Sequence, residues 1–212
     1  MDTFKNISQK IIDDTFNVKL MDNAMRGIWA EYMVAEALGE KCKIVGRDWH
    51  AWDLQIGDDF DIFPNRIRLQ LKNTARLQSW YDKTLKPSKC QWKLPISNKP
   101  SYFDEYHAGV PCEDYGHLCD LYVLCHHPIE DFAIADHRDV NQWVFYLLPV
   151  VGAKAMFEPY TKPEGQRSNP SYTVVPQSLR KGIRGRRPVE PVDFDGLTIN
   201  AVKSALGIGS GN

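Results

Sequence analysis

The sequence predicts an α/β fold, an α/β/α sandwich built on a central mixed β-sheet. Three observations lead there. Between Leu20 and Leu38 apolar residues recur at spacings of three and four, as on one face of a helix. Residues 66–72 alternate apolar and polar side chains, the period of a half-buried strand. Residues 120–125 and 142–148 are apolar on both faces, and such runs belong in the middle of a sheet covered on both sides.

Taken in order, residues 4–16 read as a short leading helix with Phe4, Ile7, Ile11 and Ile12 at helical spacing. The strongest helical pattern follows, through Leu20, Met21, Ala24, Met25, Ile28, Trp29, Tyr32, Met33, Ala35 and Leu38. Asp22 or Asn17 offers a cap at its start, and Gly39 a left-handed stop. Glu31 falls within the apolar arc, where a carboxylate is costly unless it is paired or binds a metal. An acid at the helix edge, meeting a nearby Lys or Arg, fits the same spacing, and Glu36 also falls on the arc.

Residues 42–45 read as a strand, followed by a turn and a second strand at 52–55 that carries Asp53 in an apolar setting. Gly57-Asp58-Asp59 and Pro64-Asn65 are turn signals on either side of residues 60–63. Three antiparallel strands with short connections fit this stretch. Asp58 and Asp59 read as solvated turn acids, which leaves Asp61 as the rival to Asp53. On the strand at 66–72, Ile67, Leu69 and Leu71 share one face while Gln70 and Lys72 share the other, roughly 6–7 Å apart along the strand.

From 73 to 118 the chain is polar, aromatic and irregular, with Trp80, Tyr81, Trp92, Tyr102, Phe103 and Tyr106 among Lys83, Lys86, Lys89 and Lys93. Bases and phosphates would suit such a surface, and so would an insertion that packs its aromatics onto the core. The tail from 160 is rich in Pro, Gly and Arg; residues 180–187 hold five cations in eight positions, including Arg184, Arg186 and Arg187. Residues 194–206 read as a closing helix. The whole, residues 1–212, reads as a single domain with an insertion at 82–118 and a basic extension at 160–212.

Composition places the chain among ordinary globular proteins, with 43% hydrophobic and 25% charged residues. No run approaches the ~20 apolar residues of a membrane helix, and the start lacks the layout of a signal peptide. Five irregularly spaced cysteines argue against a disulfide framework, so a cytoplasmic setting is expected. The net charge of −1 hides segregation: residues 66–93 hold eight Lys/Arg and one acid, whereas 104–139 hold nine acids and one Arg.

Asp53 on one strand, separated by sixteen residues from Gln70-Leu71-Lys72 on the next, resembles the PD-(D/E)XK nuclease pattern. Gln70 stands where Glu is usual, and Trp52 where Pro would precede the Asp. Residues 27–39 look like the first helix of that superfamily, and residues 73–80 like the segment after its Lys strand in one bacterial branch. The resemblance covers about residues 20–150. It implies a restriction-endonuclease-like fold and a Mg²⁺-dependent DNA endonuclease, with Mn²⁺ as a substitute ion, in a restriction or defence setting. It selects Glu31 over Glu36 and makes Glu31, Asp53 and Gln70 the metal ligands. Lys72 would act beside the attacking water, and Arg76, Gln78, Arg184, Arg186 and Arg187 would bind DNA. Two active sites are needed to cut two strands, so a homodimer is a further expectation.

Gln70 leaves that site one negative charge short, which keeps open a nuclease-fold binding or assembly module without catalysis. A zinc-stabilised interaction domain is a third reading, because Cys112, His117, Cys119, Cys125, His126 and His127 fall within sixteen residues. Their spacing matches no known finger layout. No phosphate-binding Gly-rich loop or nucleophile elbow is present.

Overall fold

In the computed structural model, the described residues are 3–45, 52–59, 61–80, 86–95, 119–150, 171–182 and 188–209. Two helices open the chain, α1 (Thr3–Phe16) and α2 (Asn23–Leu38). Asp22 caps α2 by accepting from the backbone N–H groups of Ala24 and Met25 at 2.8 and 3.0 Å, and Gly39 ends it at φ 74°. Leu20 and Met21, expected within α2, precede its cap instead.

Five strands form the central sheet in the order β1-β2-β3-β5-β6: β1 (Cys42–Ile44), β2 (Leu54–Ile56), β3 (Ile67–Ala75), β5 (Leu121–His127) and β6 (Val144–Pro149). The first three pair antiparallel as a meander, β3 and β5 run parallel, and β6 returns antiparallel. The sheet is thus mixed, as expected. At the β2–β3 connection Gly57 has φ 91°, and a Cβ there would lie 2.2 Å from the Asn65 carbonyl oxygen, so no other residue fits. Asp61 sits in this connection, bonded to the Asp58 N–H at 3.4 Å, away from Asp53.

The two faces of the sheet are covered differently. On one, Leu69, Leu71, Val123 and Phe145 pack against Ala30, Met33, Val34 and Leu38 of α2 and against Val202 of the closing helix, α4 (Ile199–Ala205). On the other, Tyr122, Leu124, Tyr146 and Leu148 meet a second, two-stranded sheet, β4 (Trp92–Pro95) with β7 (Ser171–Val174), and the short helix α3 (Pro176–Lys181). The α/β class and the central mixed sheet are as expected; among the described residues, a small sheet and a single turn-and-a-half of helix cover the second face.

Trp92 and Leu94, within 82–118, are 1% and 0% exposed, and Val174, Leu179, Leu197 and Val202, within 160–212, are equally buried. These side chains are part of the core. Residues 61 and 62, between the two turn signals, belong to no strand, and 63–65 are turn. No described helix is long and apolar enough to cross a membrane.

Candidate functional site

β2 starts only at Leu54, so beyond Leu69 the edge of β3 loses its strand partner. Asp53 lies at this fork. Its N–H donates to the Leu69 carbonyl at 2.9 Å, the last step of the ladder. Its carboxylate then takes the place of the missing strand: Oδ2 accepts from the Leu71 N–H at 2.6 Å and from Gln70 Nε2 at 2.5 Å. Oδ1 accepts no hydrogen bond from a described residue, and Gln70, which donates through its nitrogen, keeps Oε1 for another partner.

Burial pushes the Asp53 carboxyl above the ordinary carboxylate range, while the Lys72 ammonium, the Leu71 N–H and the Gln70 amide pull it back. Lys72 is thus close enough for its charge to act on Asp53. The register explains why. Gln70 and Lys72 fall on alternate positions of β3, opposite Tyr122 and Leu124 of β5, on the face covered by the small sheet. Asp53 also acts on the Tyr122 hydroxyl, which burial and Cys119 push up first.

Glu31 approaches from the other face. α2 passes close to β3 at Gly27, where a Cβ would already touch Asn73 Nδ2 at 3.5 Å, and Glu31 follows one helical turn later. The Cys125 thiol, pushed up mainly by burial, is pushed further by the negative charges of Asp53 and Glu31. Both acids therefore lie within electrostatic reach of one buried sulfur. Glu36 is exposed, whereas Glu31 is half-buried.

Beside this site sits a buried cation that sequence reasoning missed. Arg26 is 3% exposed and is held by amides rather than acids: Nε donates to Asn73 Oδ1 (2.8 Å), Nη1 to Gln78 Oε1 (2.9 Å) and Nη2 to Asn23 Oδ1 (2.5 Å). Burial pulls its guanidinium down to about 10. Its signal was available, since Arg26 lies four residues before Ala30 on the buried line of α2. Asn73 follows Lys72 directly, so Arg26 ties α2 to the strand that carries the site.

The expected DNA contacts fare differently. Gln78 is 8% exposed, accepts from Arg26 and donates to the Ala75 carbonyl at 2.8 Å, so its amide faces inward. Arg76 is partly committed, to the Ser88 carbonyl at 2.8 Å and to Glu130 at 2.7 Å. Arg184, Arg186 and Arg187 lie outside the described residues, as do Cys112 and His117 of the zinc reading. Of its other members, Cys125 packs in the α2-side core while Cys119 packs in the opposite one. Among the described residues no three His, Cys, Asp or Glu side chains gather as a metal-binding group.

Glu31 and Asp53 offer two carboxylates, and Gln70 an amide oxygen. These are hard oxygen donors, and Mg²⁺ needs only one or two carboxylates beside waters and substrate oxygens. The donor set fits that ion. Comparison of the chain with family models, with curated proteins and with solved structures gives no match.

Proposed function

We propose that this chain is a Mg²⁺-dependent endonuclease that hydrolyses phosphodiester bonds in DNA, on a restriction-endonuclease-like core. The observation that carries the reading is the fork itself, where the Asp53 carboxylate, the Gln70 amide and the Lys72 ammonium converge on a half-buried strand edge. A divalent ion at this place, Mg²⁺ or Mn²⁺, would shield phosphate charge and make water easier to deprotonate. Asp53 Oδ1, Gln70 Oε1 and a Glu31 carboxylate oxygen are the groups that would hold it. Lys72 orients the attacking water and stabilises the charge that builds on the phosphate. The Leu71 N–H and Gln70 Nε2 fix the Asp53 carboxylate, so its free oxygen presents one direction. Cutting both strands requires a second such site, which a homodimer would supply.

One feature favours the catalytically silent alternative, a DNA-binding or assembly module. Gln70 Nε2 satisfies Asp53 without any ion, as a Glu at that position could not at neutral pH. Incubation with supercoiled plasmid in Mg²⁺, with EDTA as control, decides between the two. Metal-dependent nicking or linearisation is expected, abolished in Asp53→Ala and Lys72→Ala with the fold retained. Binding without cleavage at any Mg²⁺ or Mn²⁺ concentration would establish the silent module.

A further inference from the structure

β3 and β5 run parallel to their carboxyl ends, Ala75 and His127, and in open α/β sheets that end is where ligands settle. Buried polar groups lack partners there. His126 is 8% exposed, and neither Nδ1 nor Nε2 has a hydrogen-bond partner. Arg76 Nε is likewise buried and unpaired, although the rest of the guanidinium is held by Ser88 and Glu130. Buried donors left unmatched are rare and expensive, so several at one place call for an acceptor.

Their neighbours are cations. Thr74 is the register partner of His126, and Arg76 follows two residues later, just past the end of β3, with its N–H on the His127 carbonyl at 3.0 Å. From α3, Arg180 donates through Nε to the Tyr146 hydroxyl at 3.1 Å. The Tyr146 ring meets Trp92 at 5.7 Å, and Trp92 meets the edge of His126 at 6.0 Å. Burial first, then the charges of Arg180, His127 and Arg76, push the His126 imidazole down to about 4. Glu130 pairs with Arg76 at 2.7 Å.

We infer that Arg76, His126 and Arg180 form a phosphate subsite that grips the nucleic-acid backbone beside the Asp53–Lys72 fork. Arg76 lies four residues beyond Lys72, roughly 13 Å along an extended chain, so a bound strand would present different phosphates to the two places. An anion would land on the free nitrogens of the exposed Arg180; Arg76 Nε and the His126 ring, closed to solvent as folded, would turn to it, and its charge would let His126 take up a proton and donate as well. The identity of the ligand as nucleic acid rests on the nuclease reading; the subsite itself does not require cleavage.

Histidine NMR titrations of the full chain test this, alone, with inorganic phosphate, and with a short single-stranded oligonucleotide. Both ligands should move the His126 resonances and raise its titration by about one pH unit or more. Arg180 is exposed, so Arg180→Ala should keep the fold while weakening both ligands about tenfold, the effect of removing one charge-assisted hydrogen bond. His126→Gln, followed by calorimetry, should weaken phosphate similarly. Unmoved His126 resonances at saturating ligand, or unchanged affinity in both variants, would overturn the subsite. A response to phosphate but not to the oligonucleotide would overturn its assignment to a nucleic-acid backbone. An oligonucleotide response in a protein that never cleaves plasmid would retain the subsite and discard the nuclease reading.

Discussion

Two polar regions lie side by side on β3, and they differ in how completely they are satisfied. Around Arg26, the amides of Asn23, Asn73 and Gln78 close on one guanidinium, and Gln78 passes the chain of bonds on to the Ala75 carbonyl. Around Asp53, one carboxylate oxygen is held twice and the other is left over, with a lysine alongside. The first arrangement is finished without help from outside; the second has unused oxygens in a half-buried place. Burial of polar groups alone therefore does not mark a working site. What separates the two is the hydrogen-bonding capacity still open once the chain has folded.

The comparison breaks most visibly at Arg26. Arg26→Met removes a buried cation but strands three amide oxygens, and should cost about 3 kcal/mol or more, read from urea unfolding. Stability within about 0.5 kcal/mol of wild type would mean that water enters and the cluster is not closed at all.

Acid should act on the buried histidines, two of which lie within electrostatic reach of Arg26. His127 and His137, whose rings stack edge to face at 4.8 Å, are buried and neutral, His137 pushed down to about 3, as His126 is to about 4. Below pH ~6.5 the unfolded chain gains protons that the folded one refuses, so stability falls from there down towards pH 3. The decrease should reach several kcal/mol across that window. In His137→Gln, which retains an acceptor for the Met21 N–H, the slope should flatten; an unchanged slope would place the effect elsewhere.

Gln70→Glu sharpens the other side. With Gln70 Nε2 2.5 Å from Asp53 Oδ2, a second carboxylate would face the first, and one of them would hold its proton to unusually high pH. In EDTA near neutral pH the variant should melt several degrees below wild type, an effect of about 1–2 kcal/mol. Mg²⁺ should restore the melt and be needed at lower concentration for cleavage. A variant that melts low and ignores Mg²⁺ would make Gln70 a structural residue only.

The smallest effects belong to the periphery. Glu31→Gln should weaken Mg²⁺ binding several-fold while Glu36→Gln leaves it unchanged; the reverse result would put the site on the wrong face of α2. Arg184, Arg186 and Arg187 changed together to Ala should flatten the salt dependence of DNA binding, by up to about 0.9 log–log units for each phosphate that is no longer neutralised. An unchanged salt slope would mean that the three arginines only face solvent.

Much of the fold was legible because its signals are local. Asp22 and Gly39 bracket α2 by capping chemistry, and the alternation of Ile67, Leu69 and Leu71 gives β3 its faces. The pairing of Asp53 with Gln70 was legible as proximity on neighbouring strands, yet the carboxylate's use of the Leu71 N–H was not, since it depends on where β2 stops. Gln78 misled for a related reason. Nothing adjacent in sequence says that an amide after β3 will meet an arginine fifty-two positions earlier. The cover of the second face was the least legible. Period-two patterns show that Tyr122 and Leu124 need a cover, but whether helices or a small sheet supply it is a matter of distant pairing.

That distant pairing has a consequence for the order of assembly. The meander joins residues 42–44, 54–56 and 67–69 through short connections, so its loops close at little entropic cost and on a fast timescale. The β4–β7 ladder must bring residues 92–95 to residues 171–174, a non-local pairing of the kind that forms late. Until it does, Tyr122, Leu124, Tyr146 and Leu148 have no lid. A refolding chain should therefore pass through a stage in which the Asp53 fork is shaped while one whole side of the sheet is still wet, sticky and prone to association.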